Sequence, residues 1–142
     1  MEPAGVTLIE LLVILSILAI LTGLSATALF SWLPRANLSR ASRTIVSMAQ
    51  DAKVEAIKRN EQMQFNCNST ANVCEVRISG SGSVLKRFDL GTLGSRIVLT
   101  SSLNTNFNSR GRATSAGTIS MQNNAGDTRS VVVRTSGSVI TQ

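Results

Sequence analysis

Glu10 is the one ionisable residue between Glu2 and Arg35, and the chain behind it runs uncharged from Leu11 to Leu33. An ionised side chain costs about 2.5 to 3.5 kcal/mol at the centre of a spanning helix and less near the interface, so a carboxylate in this setting needs a partner or a task. Two other groups of residues could do chemistry. Cys67 and Cys74 stand on either side of the turn-forming stretch NSTANV. Arg110 and Arg112 bracket a glycine in NSRGRATS, and with Arg129 and Arg134 they offer guanidinium groups able to bind phosphates without reading sequence.

Composition removes most catalytic chemistry. With no histidine in the chain, a Ser-His-Asp triad, a Cys-His pair and a histidine-ligated metal are all excluded. Two cysteines cannot by themselves complete a four-ligand zinc site, and the 8 acidic residues are scattered without a pair placed as a catalytic dyad. No enzymatic activity, metal, cofactor or small-molecule substrate is therefore expected. The balance of 14 basic to 8 acidic residues, a net charge of +6, favours anionic partners. Few aromatic residues are available as stacking platforms for single-stranded nucleic acid.

The elements that carry these residues follow from the hydropathy pattern. Leu11 to Leu33 makes about 23 uncharged positions, and at about 1.5 Å per residue such a helix exceeds the roughly 30 Å of bilayer hydrocarbon. It is longer than the apolar part of a secretory signal peptide and has nothing basic before it. Taken alone, it reads equally as an ordinary anchor. Pro34 ends the apolar run, and a kink or local loosening is expected there. Leu38, Ala41, Ile45, Met48, Ala52 and Ala56 then recur at helical spacing, which continues the helix to about Arg59 as an amphipathic segment.

Beyond Arg59 the pattern changes to strands. QMQFNC and CEVRIS alternate polar and apolar residues about a turn, and SVLKRFDL, RIVLTS, GTISMQ, RSVVVRT and SVITQ follow, separated by glycine-rich turns. The fold class is α+β, with an antiparallel β-sheet head folded over the C-terminal half of a long N-terminal helix. Cys67 and Cys74 fall at facing ends of the first hairpin. A bridge there would contribute about 2 to 3 kcal/mol and suits an oxidising compartment; the alternative is a pair of free thiols.

The stretch GVTLIELLVILSILAIL resembles the N-terminal signature of type IV pilins and type II secretion pseudopilins. The resemblance implies that a prepilin peptidase cuts after Gly5, that Val6 is then N-methylated, and that Glu10 pairs with the free amine of a neighbouring subunit as helices stack in a filament. Two positions depart from the family pattern: MEPAG lacks the usual basic residue before the glycine, and Val6 stands where phenylalanine is usual. Every Lys and Arg lies beyond the apolar run, and by charge alone the head would stay in the cytoplasm. The motif is followed instead, with a native start upstream or an altered leader accounting for the missing charge.

AQDAKVEAIKRNEQMQFNC and FNSRGRATSAGTISMQNNAGDTRSVVVRTSGSVI resemble the GspH/FimT branch of minor pilins. The implied organisation is a leader at 1–5, a transmembrane and filament-core helix at 6–33, its amphipathic continuation at 34–59, and a β-rich head at 60–142. The implied function is a minor pilin or pseudopilin, whose partners are other pilins, the prepilin peptidase and the inner membrane. It would be a single-pass protein with its head in the periplasm, and would reach a filament or the cell surface after assembly. The other reading is a DNA-binding minor pilin acting in DNA uptake through Arg110, Arg112, Arg129 and Arg134. DNA-uptake members of the branch resemble one another in a C-terminal Gly-Arg-x-Arg motif, whereas Gly137, Ser138, Val139 and Ile140 stand at the matching positions here, without either arginine.

Overall fold

The computed structural model describes residues 7–93 and 97–142, with backbone only for 24–31. Helix α1 spans Leu8–Arg59 and is followed by β1 Met63–Asn68, β2 Val73–Ile78, β3 Val84–Asp89, a 3-10 turn at Leu90–Leu93, β4 Val98–Leu99, β5 Leu103–Phe107, β6 Gly117–Gln122, β7 Thr128–Val133 and β8 Val139–Thr141. Pro34 lies inside the helix, where it withholds one backbone donor. The chain divides there into two compact units, Met1–Leu33 and Pro34–Gln142.

In the second unit the helical stripe is buried as its spacing predicts. Leu38, Ala41, Ile45, Met48, Ala52 and Ala56 are buried together with Ala49, and they share one core with Met63, Phe65 and Phe107 and with Ile119, Met121, Val131 and Val133. Small residues on this face let the strands approach the helix closely. Ser42 is buried on the same face and donates its hydroxyl hydrogen to the carbonyl of Ser39 at 2.9 Å, so its polarity is satisfied locally. The helix ends at Asn60, whose φ of 54° is left-handed, and the Glu61 N–H closes back on the Ala56 carbonyl at 3.2 Å.

The strands divide between two four-stranded antiparallel sheets, in the orders β3-β2-β1-β5 and β4-β6-β7-β8, where the sequence suggested one. Two strands differ from expectation. RIVLTS shrinks to the two residues of β4, whose start is held by Asn72: its side chain donates to the Ile97 carbonyl at 2.8 Å and accepts the Leu99 N–H at 2.9 Å. LNTNF, between two of the expected strands, forms β5. Its Leu103, Thr105 and Phe107 point inward in strict alternation.

Cys67 and Cys74 are directly opposite in the β1–β2 register and are joined by a disulfide. Both are fully buried, with Cα atoms 4.0 Å apart. The bridge locks the first hairpin beneath the helix.

Candidate functional site

Thr7 immediately precedes α1, and its hydroxyl oxygen accepts the Glu10 N–H at 3.3 Å while its carbonyl accepts the Leu11 N–H at 3.2 Å. Thr7 is thus the N-cap, and Thr7-Leu8-Ile9-Glu10 has the Thr-x-x-Glu spacing of a capping box. This places the Glu10 carboxylate in the first helical turn, where the helix dipole favours negative charge. Its side chain is exposed, and among the described residues no ion pair involves it. Gly5 and Val6, the expected cleavage and methylation positions, lie outside the described residues.

Behind Glu10 every described side chain from Leu11 to Gly23 is exposed, including Leu15, Leu18 and Ile20 at 57%, 51% and 64%. The only polar side chains there turn back on their own helix. Ser16 donates to the carbonyls of Leu12 and Val13, and Thr22 to those of Leu18 and Ala19. An apolar helix with no polar face must be buried in something outside its own unit. Part of the expected spanning segment is described as backbone only. Among the described residues no helix is long and apolar enough to cross a membrane.

The four arginines are not equivalent. Arg110 and Arg112 lie in the β5–β6 connection, where the Asn108 side-chain oxygen accepts the backbone N–H of each at 3.0 Å. Gly111 between them has φ of +72° and is packed on the helix: an added Cβ would meet the Ile57 and Lys53 side chains within 3.0 Å. The glycine between the two arginines is therefore held against the helix rather than free to move. Gly137, in the β7–β8 turn, lies directly against the Gly111 carbonyl, and Lys53 donates to the Gly137 carbonyl at 3.1 Å. The Ala113 N–H donates to the Thr135 carbonyl at 3.2 Å, which brings the backbones beside Arg112 and Arg134 together. Arg129 sits apart, five residues up β7 and opposite Met121. Arg110, Arg112, Arg129 and Arg134 are all exposed. Only three of them share one end of the head.

A polar tie that the sequence did not reveal closes the other end of the helical stripe. The Asn123 oxygen accepts the backbone N–H groups of Ala125 and Asp127, and Arg35 donates to the Asp127 carboxylate at 3.3 Å. Hydrogen bonding from Asn123, and then from Arg35, holds the Asp127 carboxyl below the usual carboxylate range. Near the C-terminal end of the helix, Arg59 does the same for Glu55, with Lys58 assisting. Among the described residues no group of three His, Cys, Asp or Glu side chains is placed to hold a metal.

Comparison with known proteins bears on both units. Residues 3–26 match the prokaryotic N-terminal methylation motif, and residues 41–138 match the family of the type II transport protein GspH. No curated protein matches the chain. Among solved structures, the fold is similar to the type IV minor pilin FimU of Pseudomonas aeruginosa in two crystal forms. The TM-scores are 0.63 and 0.59 at 17% and 16% identity, covering 76% and 74% of this chain and 90% and 92% of FimU. A pilin-type N-terminal motif, a long helix packed on antiparallel strands and a family match across most of the second unit converge on one assignment: the chain is a pilin-like protein of the GspH family.

Proposed function

We propose that the protein is a minor pilin or pseudopilin that enters the filament of a type IV pilus or a type II secretion machine through residues 6–33. The observation that carries this reading is a helix with apolar side chains exposed on all sides, directly behind an acidic first turn. Lipid before assembly and neighbouring helices after it are the two surroundings that bury such a surface. Residues 1–5 are the leader that prepilin peptidase removes at Gly5, Val6 receives the methyl group, and 34–142 form a periplasmic head on a single-pass anchor. The role is structural rather than catalytic.

Processing creates an ammonium at Val6, four residues before Glu10. A charge pair in low dielectric is favourable only when both members are satisfied, and leaving one partner unpaired costs about 3 to 5 kcal/mol. Glu10 therefore sets the register between neighbouring subunits. Intact-mass analysis of the natural product should show a chain that starts at a methylated Val6. Glu10→Ala should still insert in the membrane yet be excluded from filaments, with at least about tenfold less recovered in sheared filament fractions. Normal incorporation of Glu10→Ala, or a mature chain that retains Gly5, overturns the reading. DNA uptake is the less favoured reading, because the Arg110–Arg112 loop is a fixed turn and both motif arginines are missing beside Gly137.

A further inference from the structure

The basic residues that α1 contributes to the second unit differ in how they are balanced. Arg35 is paired with Asp127, Lys53 donates to the Gly137 carbonyl, and Lys58 and Arg59 both pair with Glu55. Arg40 and Arg43 are the exceptions. Both are exposed, and among the described residues neither takes part in an ion pair. The Arg43 guanidinium reaches no further than its own helix, where it donates to the Ser39 hydroxyl at 3.1 Å.

Arg40 and Arg43 are three residues apart, which makes them neighbours on the helix surface, on the side turned away from the buried Leu38, Ala41 and Ile45. Like charges at this spacing destabilise a helix unless an anion stands between or beside them. The helix supplies none, since no acidic residue occurs between Glu10 and Asp51. The Asp127 carboxylate, which meets the start of this segment, is committed to Arg35 and Asn123. Two guanidinium forks with donors to spare therefore face solvent side by side, an arrangement suited to the oxygens of one phosphate.

The place of the pair in the chain points to the source of that phosphate. Arg40 and Arg43 follow Leu33, the last residue of the uncharged run, by seven and ten residues, about 10 and 15 Å of helix rise. Lipid headgroups extend about 5 to 8 Å beyond the hydrocarbon, and the long arginine stem lets its charged end fold back toward them. Attraction between cations beside a membrane and anionic headgroups acts over a Debye length, about 8 to 10 Å. Trp32 ends the same uncharged run and is 64% exposed, and tryptophan is a residue type that settles at headgroup level.

We propose that Arg40 and Arg43 bind the headgroup phosphate of an anionic phospholipid on the side of the membrane where the head lies. The contact holds the subunit at the bilayer surface before assembly and is given up when the subunit leaves the membrane for a filament. The inference rests on the anchor reading of residues 6–33 and adds to it a lipid class and the two residues that select it.

Trp32 is the only tryptophan of the chain, so its emission reports on the lipids around this point alone. The full chain is placed in vesicles of phosphatidylglycerol and phosphatidylcholine, with one or the other lipid brominated near the top of its acyl chains to quench Trp32. Brominated phosphatidylglycerol should quench with about fivefold preference over brominated phosphatidylcholine, and high salt should weaken that preference. Arg40→Gln combined with Arg43→Gln should lower it to less than about twofold. Arg110→Gln combined with Arg112→Gln removes the same charge at the Lys53 end of the head and should leave it unchanged. Equal quenching by the two lipids, a preference that survives in the Arg40/Arg43 variant, or equal loss in both double variants overturns the inference. Equal quenching is also the outcome expected if the pair instead awaits an acidic side chain of a neighbouring subunit. A chain that fails to float with vesicles overturns the anchor reading and this inference together, whereas one that floats without a lipid preference overturns this inference alone.

Discussion

The two halves of α1 obey one backbone geometry and opposite burial rules. From Leu8 to Gly23 apolar side chains surround the helix and are exposed, whereas from Leu38 to Ala56 a single stripe is buried and charged residues occupy the remaining faces. The difference shows where each half finds its partner. The second half is completed by strands of its own chain, and its small residues, Ala41, Ala49, Ala52 and Ala56, bring the head close. The first half has no such partner within its unit, and its apolar side chains stand exposed there.

The sharpest way to break this contrast is to place a charge in each half. Ile45→Lys buries an ammonium in the core and should unfold the head, with a loss of more than about 4 kcal/mol seen as a collapsed thermal midpoint. Ile17→Lys should leave the head's midpoint unchanged and instead reduce membrane retention and assembly. Equal loss of head stability in both variants would show that the halves are not independent.

Gly137→Ala comes next. Its φ of +78° and the Gly111 backbone beneath it leave no room for a Cβ, and a loss of about 2 to 4 kcal/mol is expected in denaturant titration. Gly126→Ala, at φ +86° with open space around it, should cost only about 1 to 2 kcal/mol. The gap between the two measures how tightly the Lys53 region of the helix holds the turns. Thr7→Ala acts on the first half alone: removing its cap should cost about 1 kcal/mol of local helix stability, read as faster amide exchange at Glu10, with the head unaffected.

The smallest effect is expected at the Arg35–Asp127 tie. Asp127 has a lowered carboxyl pKa in the folded state, so its contribution is present above the unfolded value of 3.8 and is lost as pH falls through the folded pKa. Asp127→Asn should flatten the acid limb of the stability profile and leave stability near neutral pH almost unchanged, since the pair is exposed.

Much of this was legible because periodicity is a strong signal over long segments. The stripe from Leu38 to Ala56 and the alternation in MQFNCN and GTISMQ each reflect a face that packs, and Cys67 and Cys74 were placed across from each other by the hairpin between them. LNTNF was missed because two asparagines lower its strand propensity, although Leu103, Thr105 and Phe107 keep the two-residue period. The division into two sheets depends on long-range pairing of β1 with β5, which no local pattern encodes. At the candidate site, Glu10 stood out by its setting. The cap that holds its turn was equally present as Thr-x-x-Glu, but its signal was obscured by the apolar run around it. The roles of Asn72, Asn108 and Asn123 were hidden for a different reason: an asparagine that organises a turn looks in sequence like any loop residue.

The back-to-back seating of Gly111 and Gly137 also governs where the molecule can accept foreign sequence. An epitope or fluorophore tag spliced into either of those turns would pry it from its neighbour and from Lys53. In the Gly80–Gly82 turn a Cβ added to either glycine would meet nothing within 4 Å, so this turn can carry such a label without disturbing the packing beneath it.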